Sequence, residues 1–308
     1  MDVLTAVDPG RIASDLDARH QFWLDLTEPS DEEVERLGEL LGLHPVAIED
    51  TREFGQRPKV DVYDDHVLLV FYTARLDDAG TVEPIEVHVH VANEYLITVR
   101  RARCLVLDEL RGRVEEIHEH PVYEILDTLT DAFYPVIEGL EDRIDALEAQ
   151  VLERPRREQL TTIYRLLQEV RGVGRIASVQ RDQFQSSSDD LQRLTKLEDT
   201  VAYLRDIGDH LAQIAGELHR QTEDLSSLTS TYFNANADRL NAVATRATIG
   251  GTLFVLWTLV TGFFGQNFGW LVNSISSKRD FMIFGVGSLV IPTVILVALF
   301  WVKRRDWF

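Results

Sequence analysis

Between Ala247 and Ser277 the chain carries no charged side chain, and after Lys278-Arg279-Asp280 a second uncharged run extends from Phe281 to Val302. A charge at mid-bilayer costs roughly 2.5–3.5 kcal/mol on insertion scales, so runs of this length without one point to lipid. At about 1.5 Å per helical residue, each run covers the roughly 30 Å hydrocarbon layer. The chain therefore reads as a large water-facing part followed by a C-terminal helical hairpin in the membrane.

The first run is not uniformly apolar. Steps of three and four from Asn241 select Ala244, Thr248, Gly251, Thr252, Val255, Thr258 and Gly262, a stripe that is small or polar throughout. The other side carries Leu253, Phe254, Leu256, Trp257, Val260, Phe263 and Phe264. A helix built this way either packs closely on another helix or lines a water-filled path. The first alternative makes the chain a membrane-anchored cation sensor or scaffold, the second a transporter.

Charge is divided unevenly. From Asn241 onward six basic residues face only Asp280 and Asp306, so the net −20 of the chain leaves −24 on the first 240 residues. Such a domain repels nucleic acid and anionic lipid surfaces and attracts cations, divalent ones most strongly. The start Met1-Asp2-Val3 has neither a basic nor an apolar signal region, which places the acidic domain and the N-terminus in the cytoplasm. Lys303-Arg304-Arg305 keeps the C-terminus on the same side, giving a multi-pass protein of the plasma (inner) membrane. The lone Cys104 forms no internal disulfide and suits a reducing compartment.

Strand patterns at Gln21 to Leu26, Lys59 to Tyr63, His66 to Leu76, Val82 to Ala92 and Tyr95 to Arg100 are separated by turn residues such as Asp77-Asp78-Ala79-Gly80. With helices flanking them, residues 1–117 form a cytoplasmic α+β domain with a mixed or antiparallel sheet. Residues 118–246 are helical: Pro121 opens one helix to about Leu152, Pro155 another to about Gln185, and a third segment runs unbroken from about Asp190 to Gly265. A helix that long implies oligomeric bundling around an axis. The membrane part divides into a first span 247–267, an extracytoplasmic loop 268–280, a second span 281–302 and a basic cytoplasmic tail 303–308.

No Ser-His-Asp or Cys-His arrangement suggests an enzyme, and Gly172-Val-Gly174 lacks the strand and Lys of a phosphate loop. His88 and His90 share a strand face, and His118 and His120 sit at a helix boundary; no further ligands complete a tetrahedral site at either place, and both pairs read as structural. Asp206, Asp209 and His210 lie about one turn apart on the long helix. Alone they are an exposed polar face; in copies packed around an axis, clustered carboxylates need a counter-ion, and oxygen ligands favour a hard cation such as Mg²⁺.

Taken together, the two C-terminal spans, the Gly-x-Asn triplet Gly265-Gln266-Asn267, the long helix and the runs His44-Pro45-Val-Ala-Ile-Glu49-Asp50 and Arg57-Pro58-Lys59-Val60-Asp61 resemble the CorA-type divalent-cation transporters. The resemblance implies a funnel-shaped homopentamer with the first span lining the pore and the second facing lipid. It places Asn267 in an outer selectivity ring with Gln266 and Gly265 beside it, and Thr258, Val255, Thr248, Ala244 and Asn241 deeper along the path. Asp206 matches an acid that helps bind regulatory Mg²⁺ between cytoplasmic domains, with Asp77 about where its partner falls. Mg²⁺ is the implied ion, transported and regulatory, and Zn²⁺, Co²⁺ and Ni²⁺ are moved by relatives of this type. Gln266 stands where the family has Met, and the loop from Phe268 to Asp280 carries Lys278 and Arg279 in place of the usual acidic motif.

Overall fold

Val, Ile and Leu alternating with polar residues, interrupted by Asp-rich turns, produce six strands: β1 (Asp2–Leu4), β2 (Phe22–Thr27), β3 (Lys59–Val62), β4 (Val67–Leu76), β5 (Val82–Val91) and β6 (Tyr95–Arg100). They form one sheet in the order β1-β2-β6-β5-β4-β3. β1, β2 and β6 run parallel, while β6, β5, β4 and β3 are joined antiparallel through the turns expected from the sequence. The mixed sheet is thus observed; the three-residue β1 escaped the sequence pattern because it is too short to show alternation.

The computed structural model describes residues 1–116, 120–187, 191, 200–266 and 269–304, which fall in two units, Met1–Tyr232 and Phe233–Phe308. In the first unit, α1 (Pro9–Asp17), α2 (Asp31–Leu41) and α3 (Pro45–Arg52) cover one sheet face, where Ile12 and Leu37 meet Leu24, Ile97 and Val99. α2 starts where the Ser30 hydroxyl accepts from Glu33 N and the Glu33 carboxylate accepts from Ser30 N, a reciprocal cap, and stops at Gly42 with φ 65°. The other sheet face packs against α4 (Leu105–Gly112) and α5 (Pro121–Asp131) through Leu107, Leu110, Ile125 and Leu129, with Cys104 buried among them. A third core joins α6 (Phe133–Glu153), α7 (Arg157–Ser186) and α8 (Thr200–Phe264).

Where the sequence predicts one helix from Pro121 to about Leu152, the structure has two, with Ala132 between them. Pro135, in the first turn of α6, marks the site: it has no N–H to donate to the Asp131 carbonyl and its ring crowds that carbonyl, and the two halves join different cores, Ile125 and Leu129 the sheet core and Val136 and Leu140 the helical core. α7 ends near the predicted position, and the predicted start of the third helix at Asp190 lies outside the described residues. Beyond the end of β3, the Gln180 side chain of α7 takes over the sheet's work: its Oε1 accepts from Tyr72 N at 2.6 Å and its Nε2 donates to Tyr72 O at 3.1 Å.

α2 and α3 touch closely at Gly38, where an added Cβ would lie 2.2 Å from Ile48 Cδ1. Gly38→Ala is therefore expected to cost about 1–3 kcal/mol, an overpacking penalty. In an Ile48→Ala background, which removes both Cδ1 and the Cγ1 that would lie at 2.6 Å and leaves Cβ at 3.8 Å, Gly38→Ala should cost much less in urea unfolding. Equal costs with and without the second change would show that the contact is slack.

The second unit contains the C-terminal part of α8, α9 (Gly269–Ser274), a turn at Lys278–Asp280, a π-helical stretch Phe281–Val286 and α10 (Gly287–Arg304). Two helical segments, Ala202–Phe264 and Lys278–Trp301, are long and apolar enough to cross a membrane. The connection at 268–280 is partly helical, as α9 shows.

Candidate cation sites and the first span

Asp127 and Asp131 lie one turn apart on α5, and Asp206 and His210 one turn apart on α8. Packing of these helices brings His210 Nδ1 to 3.4 Å from Asp127 Oδ1 and 3.6 Å from Asp131 Oδ1, with His210 Nε2 3.8 Å from Asp206 Oδ1. The first two spacings are too long for good hydrogen bonds, and both His210 Nδ1 and Asp127 Oδ1 are buried without a hydrogen-bond partner. Unpaired buried polar atoms are costly. Ligands about 2.0–2.1 Å from one Zn²⁺-like ion stand roughly 3.3 Å apart, close to the spacing of His210 Nδ1 from Asp127 and Asp131; Asp206 faces the opposite ring nitrogen and is not a ligand of the same ion. Burial first, then the Asp131 charge, pushes the Asp127 carboxyl up to about 6, with Asp206 and Glu124 adding to the effect and His210 opposing it. The Tyr123 hydroxyl donates to Asp206 Oδ2 at 2.9 Å, fixing that carboxylate, and burial together with this bond raises the Tyr123 phenol.

Of the residues singled out from sequence, His210 belongs to the group; Asp206 approaches its other ring nitrogen and stands outside the group, as does the exposed Asp209. The two carboxylates that complete it, Asp127 and Asp131, were missed; their i, i+4 spacing was the available signal, but only tertiary packing shows that it faces His210. Asp77 sits in the β4–β5 turn, where its Oδ1 accepts from Ala79 N at 2.9 Å and Thr81 N at 2.8 Å. Within one chain it is not part of the His210 group. Among the described residues, Asp2, Asp15 and His20 also approach one another, but the Arg11 guanidinium already lies 2.8 Å from Asp2 and supplies the positive charge. His120 is described and packs against Tyr203 with the rings tilted; His118 lies outside the described residues.

In the second unit the Trp257 indole donates to Thr293 Oγ1 of α10 at 2.9 Å. The residues of the first span with reduced exposure are Thr245, Ile249, Leu253, Leu256, Val260 and Phe264, one helical stripe spaced by three and four. Asn241, Ala244, Thr248, Gly251, Thr252, Val255, Thr258 and Gly262 lie on a different face and are exposed. Thr248, Thr252 and Thr258 each donate their hydroxyl proton to the carbonyl four residues back, at 2.8–2.9 Å. Their oxygens are left as outward acceptors. α8 closes at Gly265, where an added Cβ would approach Thr261 O to 3.2 Å. Gln266 is exposed just beyond it, and Asn267 lies outside the described residues.

The sequence model described as CorA-like Mg²⁺ transporter protein matches residues 20–305. The chain belongs to this CorA-like family. It is accordingly a divalent-cation transporter and not an enzyme. A curated relative, the cobalt/magnesium transport protein CorA of Thermotoga maritima, is 26% identical over 94% of this chain and 84% of its own length. The zinc transport protein ZntB of Yersinia pseudotuberculosis is 24% identical over 99% of this chain and 92% of its own. Among solved structures, the CorA magnesium transporter of Methanocaldococcus jannaschii superposes with a TM-score of 0.74 at 19% identity, covering 93% of this chain and 91% of the other.

Proposed function

We propose that five copies of the chain assemble around the exposed stripe of the first span to form a pore for a hydrated divalent cation, Mg²⁺ foremost. The observation that carries this is the stripe itself: a small and polar face turned away from the second span, with Thr oxygens free to accept from the outward-pointing hydrogens of a hydrated ion's waters. Mg²⁺ releases its inner waters reluctantly, and neutral hydroxyl and amide rings hold it through them without trapping it. Thr258, Thr248 and Asn241, with Val255 and Ala244 between them, form the path, and Gly265, Gln266 and Asn267 close it as the selectivity ring. Both termini lie in the cytoplasm of a cell whose inner (plasma) membrane holds the spans. Names of relatives support Mg²⁺ and Co²⁺ as cargo, and ZntB supports Zn²⁺ as the alternative.

Gating is assigned to the acidic domain. Cations bound at Asp127, Asp131 and His210, and at Asp206 and Asp77 where another copy approaches them, hold the closed assembly, and their loss lets carboxylate repulsion loosen it. The imidazole in the first group widens its choice beyond Mg²⁺ to Co²⁺, Zn²⁺ and Ni²⁺, which accept nitrogen readily. Asn267→Ala should reduce Mg²⁺ entry into dye-loaded vesicles at least tenfold while the pentamer persists on size exclusion. Unchanged flux would remove Asn267 from the path. Absence of entry by Mg²⁺, Zn²⁺, Co²⁺ and Ni²⁺ alike in the parent would favour the sensor or scaffold reading.

A further inference from the structure

Three histidines lie fully buried beside α3: His88 and His90 on one face of β5, and His66 immediately before β4. Each has one ring nitrogen engaged. His66 Nδ1 is 2.7 Å from Asp65 Oδ1, and His88 Nε2 is 2.9 Å from Glu86 Oε1. A carboxylate only accepts, so both nitrogens carry the proton. The Thr51 hydroxyl of α3 spends its own proton on Ala47 O at 2.6 Å, so His90 Nε2, 2.8 Å from Thr51 Oγ1, is the donor there. The remaining nitrogens, His66 Nε2, His88 Nδ1 and His90 Nδ1, are therefore bare, buried and without a hydrogen-bond partner.

The rings are held by stacking. His44 lies over Tyr63 at 4.9 Å, Tyr63 over His66 at 4.7 Å and His66 beside His90 at 6.0 Å, while Phe54 covers His88 at 4.4 Å. A proton added to His90 Nδ1 would find no acceptor and would sit between two other imidazoles. The nearby carboxylates are already engaged: Glu86 by His88 and Gly55 N, Asp65 by His66, and Asp50 of α3 together with Asp61 of β3 by Lys59. Arg101 over the Phe54 ring adds positive charge, and the Tyr72 hydroxyl is committed to Gln56 O.

We propose that this cluster is an acid-sensitive latch, in which the neutral His90 ring holds α3 on the sheet through Thr51 and its protonation releases α3 and the following Phe54 segment. Burial, followed by the charges of His66 and His88, depresses His90 to about 3 from an ordinary 6.5. A depressed histidine gives its full support above about 6.5 and loses it progressively as pH falls towards the folded value.

Amide hydrogen exchange on the full chain in lipid nanodiscs reads the latch directly. After correction for intrinsic exchange rates, protection of residues 46–56 should fall about tenfold between pH 7.5 and 5.5, the ratio set by an open-state histidine near 6.5. His90→Gln, which keeps a donor for Thr51 but cannot be protonated, should flatten that dependence. Constant protection in the parent, or an undiminished fall in His90→Gln, overturns the proposal. Exchange at the histidine C2 position in the unsubstituted protein supplies a check free of folding effects: His90 should show no titration between pH 5 and 8, and a midpoint near 6.5 would overturn the latch.

Discussion

Asp127→Asn combined with His210→Ala is expected to abolish the stabilisation that Co²⁺ or Zn²⁺ gives the N-terminal unit. A cation present at a hundred times its dissociation constant adds about 2.7 kcal/mol to the form that binds it. For a domain of this size that is a rise of about 5–10 °C in Tm, measurable by circular dichroism of the detergent-solubilised protein. The variant should show no such rise, and an equal rise in variant and parent would remove these residues from the site. The pH dependence follows from Asp127. Its raised carboxyl contributes to the unliganded fold below the ordinary carboxylate range, and that contribution is lost as pH rises through about 6. A bound cation compensates the ionised form, so the cation-dependent rise in Tm should be large at pH 7.5 and shrink as pH falls through 6, where the proton competes for the same oxygen.

The second large effect is expected at Asp25 of β2. Its side chain is fully buried; Oδ1 accepts from Thr98 Oγ1 at 2.7 Å and from Arg100 Nη1 at 2.6 Å, and Oδ2 accepts from Arg111 at 2.8 Å. Arg100, itself 1% exposed, also reaches Asp108 Oδ1 at 2.6 Å. Asp25→Ala leaves the Arg100 charge in a dry site with half its compensation, at a cost of about 3–5 kcal/mol. Since replacing a whole buried pair by apolar groups is often neutral, Asp25→Leu with Arg100→Met should recover much of that loss. Urea denaturation of the parent, single and double variants decides it: a double variant no more stable than Asp25→Ala alone would show that the network does more than neutralise itself.

The two candidate membrane spans were legible because their signal is compositional, and long uncharged runs survive any tertiary arrangement. The antiparallel strands were legible to within a residue or so because alternation and Asp-rich turns are local. The break at Ala132 was written in Pro135, which removes the N–H and crowds the carbonyl of Asp131 four residues back, but which core each half-helix joins was not. Asp206 and His210 could be singled out because i, i+4 neighbours on one helix are always close. Asp127 and Asp131 are 75 or more positions away along the chain, and only the packing of α5 on α8 places them opposite. His88 and His90 were read from sequence as structural and His66 was not singled out, and the sequence had no means of showing that three bare nitrogens lie under α3.

By itself, then, the sequence determined that this chain is an acidic α+β domain followed by two candidate membrane spans, with a small and polar stripe along the first. Hydropathy, charge and periodicity are sums over neighbours and need no fold to be counted. The tertiary structure decided which face of the first span meets the second, through Trp257 and Thr293, and so left the stripe exposed. It also decided which carboxylates share His210, because distance in space between remote residues is set by how helices pack and is written in no local pattern.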